Sequence, residues 1–154
     1  MDDLLITVDD PRGPAVRPLL ERHLALMFEQ SAPEDVHALD VDGLADPAVT
    51  FYVVRRAGDV LAVGALKRLT AEHVELKSMH TAAEARGQGI ARTLLAHLLD
   101  AARKAGFRRI SLETGTQDGF AAARTLYARA GFVECGPFGD YAPSPASTFL
   151  TRGL

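Results

Sequence analysis

The chain has 154 residues, of which 47% are hydrophobic and 24% charged, and a formal net charge of −3. This length and composition predict one globular domain spanning residues 1–154. The acidic balance argues against a duplex nucleic acid partner, the one cysteine excludes an intrachain disulfide, and the scattered histidines predict no metal site. Because the N-terminus does not resemble a signal peptide and no apolar run approaches the ~18 residues of a membrane span, we expect a cytoplasmic protein without membrane contact.

Hydrophobic periodicity predicts alternating strands and helices along the chain. Residues 4–8 form a first strand, and a helix begins near Arg17, because Pro18 fits only a first helical turn, and continues to Gln30. Residues 31–47 are expected to be irregular or partly helical. Further strands are predicted over residues 49–55, 60–69, 73–81, 108–113, 132–136 and 147–152, and further helices over residues 87–105 and 119–130.

Two connections fix how these strands are arranged. The sequence Ala57-Gly58-Asp59 has the composition of a hairpin turn, so the strands on either side of it are antiparallel. Residues 73–113 read as strand, helix and strand, which predicts a parallel pair with a right-handed crossover. A mixed α/β sheet flanked by helices follows.

A glycine-rich hexapeptide, Arg86 to Ala91, lies at the start of the helix predicted over residues 87–105. The first turn of a helix leaves backbone N–H groups without partners, and the helix dipole is positive there. Glycine lets the backbone approach a ligand closely and adopt positive φ angles. The pattern therefore predicts a nest of amide donors, beside an arginine, that binds an anion such as a diphosphate. A tight turn without a ligand is the alternative.

At these residues the chain resembles the GNAT superfamily of acetyl-CoA-dependent N-acetyltransferases. "ELKSMHTAAEARGQGIARTLL" resembles the family's fourth strand, loop and third helix, and "AARTLYARAGF" resembles its fourth helix and the start of its sixth strand. The resemblance implies the α/β (α+β) fold of the family. That fold is a mixed, mostly antiparallel sheet of six to seven strands, with a central parallel β-α-β unit whose strands 4 and 5 splay apart, and about four helices.

The same resemblance implies acetyl-CoA as co-substrate and a set of residues that bind it. The diphosphate is expected on the loop and first helical turn, at Arg86, Gly87, Gln88, Gly89, Ile90, Ala91 and Arg92. The pantetheine arm is expected on the main chain of the fourth strand, at Met79, His80 and Thr81, and on Thr114 of the fifth strand. An amide near Met79 is also expected to stabilise the oxyanion. Many members have an asparagine where this chain has Phe120, and Thr114 or Gln117 are candidates to replace its contact.

Two residues are predicted to move protons. Tyr127 aligns with the family's tyrosine in "LYxRxGF" and is implied to protonate the departing thiolate. Glu75 is the first choice for the base that takes the proton of the attacking amine, with His80 and Glu113 as alternatives. Strand alternation predicts that His80 faces away from Glu75. Lys77, in a central strand, is expected to need Glu75 or Glu113 as a partner.

The acceptor is expected to contact the segments in which members of the family differ most, residues 17–46 and 136–147. Candidate acceptor-binding residues are Glu34, His37 and Tyr141, while Arg12 and Arg17 are an alternative site for an acceptor carboxylate. The predicted activity is transfer of an acetyl group to the amine of a small or amino-acid-like acceptor through a tetrahedral intermediate, without a metal. A non-catalytic acyl-CoA-binding module and a protein or peptide N-acetyltransferase are the alternatives, and the chain is expected to be a monomer or homodimer.

Overall fold

The computed structural model describes residues 3–33 and 40–154. Within these residues, seven strands form one sheet in the order β1-β2-β3-β4-β5-β7-β6. The parallel neighbours are β4 and β5, as the sequence predicts, and the other pairs are antiparallel. The strands are β1 Leu5–Val8, β2 Val49–Arg56, β3 Asp59–Arg68, β4 His73–Thr81, β5 Arg109–Gly115, β6 Val133–Glu134 and β7 Ser147–Gly153. The predicted mixed sheet is therefore confirmed, although β6 is shorter than residues 132–136.

The helices are α1 Arg17–Gln30, α2 Val41–Leu44, α3 Ile90–Lys104 and α4 Ala121–Arg129. The start of α1 is as predicted, with Pro18 in its first turn. The start of α3 is later than predicted, because Gly87 and Gly89 have φ angles of 78° and 75°, which a right-handed helix excludes. Similarly, α4 begins only after a 3₁₀ turn, Asp118–Phe120. In the described ranges, no helix has the length and hydropathy that crossing a bilayer requires.

The two faces of the sheet are covered by different helices. A Cβ atom placed on Gly64 of β3 would lie 3.2–3.3 Å from Leu94 and Leu98, so α3 packs closely on this face. The neighbouring position on β3, Val63, pairs with His80 of β4, whose ring contacts His23 of α1. Because successive strand residues point to opposite faces, α1 covers the other face.

A β-bulge interrupts β4 where it passes Gly64. Gly64 of β3 lies opposite two residues of β4, Ser78 and Met79, since the register shifts there. Ser78 has a φ of 58°, and its buried Oγ has no hydrogen-bond partner in the part of the chain that the structure describes. The extra residue reverses the alternation, so His80 lies on the same face as Glu75. The prediction that His80 faces away from Glu75 was therefore wrong.

Strands β4 and β5 separate part of the way along their length. Residues 73–75 of β4 pair with residues 109–111 of β5, and no pairing between the two strands continues beyond Glu75 and Ser111 in the described chain. The rest of β4, residues 76–81, still pairs with β3, and the rest of β5, residues 112–115, still pairs with β7. A wedge-shaped opening, the β4–β5 wedge, is left inside the sheet.

Candidate active site

A cavity of about 120 Å³ lies at the β4–β5 wedge. Its lining includes Leu76 and Leu112, and also Glu75 and Glu113, which precede and follow them on the same two strands. Consecutive strand residues point to opposite faces of a sheet, so residues of both faces border the cavity at the opening. Two molecules could therefore meet in it from opposite sides of the sheet.

On the α1 face of the cavity, an ion pair is fixed by a tyrosine. Lys77 Nζ donates to Glu75 Oε2 at 3.1 Å and to the Tyr141 hydroxyl oxygen at 2.9 Å. The Tyr141 hydroxyl in turn donates to Glu75 Oε2 at 2.5 Å. The Lys77 and Glu75 side chains are only 8% and 4% exposed, so each charge needs the other as a partner. The expectation that Lys77 is neutralised by a carboxylate is thus confirmed, with Glu75 as the partner.

Tyr141 reaches the cavity because aromatic packing holds the loop between β6 and β7 against the sheet. The Phe138 ring lies 5.1 Å from the Tyr141 ring and 5.9 Å from the Phe149 ring of β7, measured between centroids. The Tyr141 and Phe149 rings are 5.5 Å apart. Burial and the nearby Glu75 carboxylate raise the pKa of the Tyr141 phenol, which therefore stays protonated and keeps donating to Glu75.

Tyr127 of α4 also lines this cavity. Its ring packs edge-on against Phe132 at 5.8 Å between centroids, and only 7% of the residue is exposed. Burial raises the pKa of Tyr127 above its usual value of 10, so its hydroxyl carries its proton at neutral pH. A buried, protonated phenol at the edge of a cavity has the chemistry of a proton donor.

Two histidines meet beside the cavity. His23 of α1 lines it, and His23 Nδ1 lies 3.3 Å from His80 Nδ1. Burial is the main cause that lowers the pKa of both imidazoles to about 4; His80 lowers the pKa of His23 further, and Arg86 and Arg22 lower that of His80 further. Both rings are therefore neutral at pH 7. His23 is not among the residues predicted for the site, although its spacing from Leu19 and Leu20 places it on the buried side of α1.

The glycine-rich loop forms a surface of unpaired amides at the start of α3. Within the described residues, none of the six amides from Gly87 to Arg92 donates to a backbone carbonyl. A Cβ atom on Gly87 or Gly89 would meet nothing within 4 Å, so the loop is open to solvent. Consecutive donors with this exposure at a positive helix end suit a diphosphate.

A cation from another strand supports this loop. Arg56, at the end of β2, donates from Nη1 to Gln88 Oε1 at 2.8 Å. The contact orders the Gln88 side chain and adds a guanidinium to the loop, beside the cation of Arg86. Arg56 could not be predicted as a site residue, because 32 residues separate it from Gln88 and no local pattern links the two.

The structure brings some of the predicted site residues together and separates others. Five of them line the one cavity: Glu75, Met79, Thr114, Tyr127 and Tyr141. Phe120, the departure from the family pattern, lines it as well. His80 and Thr81 continue β4 beyond the bulge. Glu34 and His37 lie outside the described residues.

Arg12 and Arg17, the alternative carboxylate site, are exposed and do not line this cavity. Arg12 instead lies 3.9 Å from Asp42. In residues 3–33 and 40–154, no group of three or more His, Cys, Asp or Glu side chains is arranged to hold a metal ion.

The chain resembles known proteins over nearly all of its length. It is 46% identical over 149 residues to YedL of Escherichia coli (strain K12), an N-acetyltransferase whose activity is uncharacterized, and this match covers 97% of this chain and 94% of YedL. It is 37% identical over 155 residues to an IAA acetyltransferase of Azospirillum brasilense, a match that covers 100% of both chains.

Solved structures share the fold. A proposed acyl-CoA N-acyltransferase from Klebsiella pneumoniae superimposes with a TM-score of 0.79 at 26% identity, covering 98% of this chain and 97% of that one. A GNAT family acetyltransferase from Elizabethkingia anophelis, solved with acetyl-CoA bound, superimposes with a TM-score of 0.69 at 16% identity over 100% of both chains. The family model for the acetyltransferase (GNAT) family matches residues 16–132. With this match and the wedge in its sheet, the chain belongs to the GNAT family of acetyltransferases.

Proposed function

We propose that this chain transfers an acetyl group from acetyl-CoA to the primary amine of a small-molecule or amino-acid-like acceptor, by direct attack of the amine on the thioester. The observation that carries the proposal is the cavity at the β4–β5 wedge, which has Tyr127 and Glu75 in its walls. A thioester and an amine entering from opposite faces of the sheet would meet between these two side chains.

The binding of acetyl-CoA is assigned to two regions. The amides of the glycine-rich loop and the cation of Arg86 bind the diphosphate, and the loop residues are those predicted, Arg86, Gly87, Gln88, Gly89, Ile90, Ala91 and Arg92. The pantetheine arm lies in the wedge, where the main chain of residues 79–81 and Thr114 face the opening. The open loop and the unpaired strand edges fit an extended chain with an anionic end.

The proton transfers follow from the two sides of the cavity. As the amine nitrogen bonds to the acetyl carbon and the carbon–sulfur bond breaks, Glu75 accepts the amine proton and Tyr127 donates its proton to the sulfur. A proton returned through water from Glu75 to Tyr127 restores both groups.

Tyr141, which orients the Glu75 carboxylate, contacts the acceptor, and we extend the acceptor site to Glu34 and His37 from the sequence pattern alone. We further propose a single cytoplasmic domain that acts as a monomer or homodimer.

An acetyl-CoA consumption assay over a panel of amines and amino acids tests this function. We expect turnover with at least one acceptor, and we expect Tyr127→Phe to lower kcat by roughly 10²–10⁴-fold, as loss of a general acid does, with an unchanged Kd for coenzyme A by calorimetry. Tyr52→Phe is the matched control, because Tyr52 is also buried but packs against His97 away from the cavity. Coenzyme A binding without transfer to any amine would support a non-catalytic module instead. Full activity of Tyr127→Phe would exclude Tyr127 as the acid.

A further inference from the structure

One residue of the cavity lining has two features that destabilise the free protein. Ser78 has a φ of 58°, a left-handed conformation that is unfavourable for a residue with a Cβ atom. Its Oγ is buried, and among the described residues it has no hydrogen-bond partner. A buried hydroxyl without a partner is unfavourable because it has lost its contact with water and gained none from the protein. Both features occur together at the bulge of β4.

The cavity distinguishes Ser78 from the other buried groups of this kind. In the ranges that the structure describes, the buried side-chain atoms without a hydrogen-bond partner are Gln30 Oε1, Arg56 Nε, Ser78 Oγ and Gln117 Oε1. Of these four residues, Ser78 is the one that lines the cavity at the β4–β5 wedge. Its hydroxyl is attached to a single methylene group, so rotation about χ1 can turn it toward a ligand.

A bulge does not by itself require a serine at this position. Glycine adopts positive φ angles without strain and has no hydroxyl to leave unpaired, so a glycine at position 78 would avoid both unfavourable features. Strained residues and unpaired buried polar groups of this kind are concentrated at functional sites, where a ligand can supply the missing contact. We therefore look for the partner of the Ser78 hydroxyl in the molecule that occupies the cavity.

Resting on the proposed function, we propose that the Ser78 hydroxyl is a catalytic hydrogen-bond donor to the carbonyl oxygen of the acetyl group. In that function the thioester lies between Tyr127 and Glu75, in the cavity that Ser78 also lines. A carbonyl oxygen only accepts hydrogen bonds, so it suits a hydroxyl that lacks an acceptor. The main-chain amide near Met79, the next residue, is expected at the same oxygen, so a side-chain donor and a main-chain donor act together.

The hydroxyl contributes most while the amine nitrogen bonds to the acetyl carbon. The π electrons of the carbonyl then move onto its oxygen, and a hydrogen bond to this negative oxygen is stronger than one to the neutral carbonyl. The carbonyl forms again when the carbon–sulfur bond breaks. Ser78 keeps its proton throughout, and the proton transfers remain those assigned to Glu75 and Tyr127.

Ser78→Ala tests the proposal, because it removes the hydroxyl and keeps the Cβ atom. We expect kcat to fall at least about tenfold with every acceptor that the amine panel identifies, since the acetyl carbonyl is common to all of them. In calorimetry without an acceptor, the Kd for acetyl-CoA should rise about two- to tenfold. The Kd for coenzyme A, which has no acetyl carbonyl, should not change. The Tm of the free protein should not fall, because the hydroxyl has no partner in the described chain.

Two further variants separate the hydroxyl from the backbone and from burial. Ser78→Gly fits the φ of 58° and should show the same loss of kcat in a stable protein. Ser111→Ala is the matched control, because Ser111 of β5 is also buried but lies outside the cavity lining. The Ser111 Oγ has two partners, His73 Nε2 at 2.7 Å and Thr151 Oγ1 at 2.8 Å. Ser111→Ala should therefore lower Tm and leave kcat unchanged.

The outcomes distinguish this inference from the proposed function. A smaller loss of kcat in Ser78→Ala, or a loss accompanied by a fall in Tm as in Ser111→Ala, would overturn the inference and leave the acetyltransferase intact. Equal weakening of coenzyme A and acetyl-CoA would place the contact on the pantetheine arm, and a loss confined to one acceptor would place it on that acceptor; either result overturns the inference. Inertness of the wild type toward all amines and amino acids would overturn the proposed function and the inference with it.

Discussion

At the scale of single residues, His23 and His80 form a contact that ties stability to pH. Their Nδ1 atoms are 3.3 Å apart, and the pKa of each is lowered from 6.5 to about 4, mainly by burial. Arg22 and Arg86 are the charged groups that face His80. A folded-state pKa below the unfolded value means that the unfolded chain binds more protons between pH 6.5 and 4, so the folded state loses stability as the pH falls through this window.

The first prediction concerns this window. Between pH 7 and pH 4.5, titration of His23 alone should cost the wild-type protein roughly 2 kcal/mol of unfolding free energy. His23→Gln removes the titrating group, so its unfolding free energy should fall less over the same range in urea titrations. His97→Gln, at an exposed position of α3, serves as the control and should follow the wild type. Parallel pH curves for wild type and His23→Gln would contradict the assignment of the buried imidazole.

At the scale of elements, the glycine-rich loop joins β4 to α3 through two residues with positive φ. The residue that caps α3, Gly89, has a φ of 75° and ψ of 12°, a left-handed conformation that costs an L residue about 1–2 kcal/mol. The Gly89 carbonyl accepts the first α3 hydrogen bond, from the Thr93 amide at 3.1 Å. The conformation of this one residue therefore determines both where α3 begins and where the free amides point.

Gly89→Ala should lower the unfolding free energy by about 1–2 kcal/mol and weaken coenzyme A binding by at least about tenfold, because the strained loop rearranges its amides. Gly58→Ala is the matched control. Gly58 has a φ of 87° in the turn between β2 and β3, and a Cβ there also meets nothing within 4 Å. Gly58→Ala should lower the unfolding free energy by the same amount and leave the affinity for coenzyme A, measured by calorimetry, unchanged. Equal affinity of the two variants would refute an anion site at the loop.

The elements also show what local patterns could and could not predict. The strand-helix-strand order followed from the sequence. For Lys77 the sequence left Glu75 and Glu113 open as partners, and the structure pairs it with Glu75, which a period of two places on the same face. The bulge at Ser78 could not be predicted, since neither Ser78 nor Met79 is a residue type that favours positive φ or marks an inserted residue. Because of this one inserted residue, the His80 side chain lies on the opposite face of the sheet from the one predicted and contacts His23. The position of Tyr141 depends on aromatic contacts with Phe149 across the sheet, which no local pattern contains.

At the scale of the whole molecule, the wedge divides the sheet into two parts. Strands β1 to β4 and strands β5 to β7 are joined through three residue pairs, between residues 73–75 and 109–111. The walls of the wedge are strand edges with backbone groups that do not pair across it. A ligand that bonds to both walls would connect the two parts, so it should stabilise the molecule as a unit.

Coenzyme A at a hundred times its Kd should raise the unfolding free energy by about 2.7 kcal/mol, which corresponds to roughly 5–10 °C in Tm for a chain of this size. Differential scanning fluorimetry measures this shift. Adenosine 3′,5′-bisphosphate, which has no pantetheine arm, should give a smaller increase at equal concentration, because it reaches the loop but not the wedge. A flat response to coenzyme A would be incompatible with binding in the wedge.

The wedge also bears on self-association. A strand edge at the perimeter of a sheet can recruit a strand from another chain, and here the perimeter strands are short, four residues in β1 and two in β6. The longer unpaired strand edges, those of β4 and β5, lie inside the sheet, where they face each other across the wedge. A polypeptide strand would need space for side chains on both of its faces, and the cavity at the wedge holds only about 120 Å³. The unpaired backbone groups of the wedge can therefore remain available to a narrow, extended ligand without pairing with a strand of a second copy of the chain.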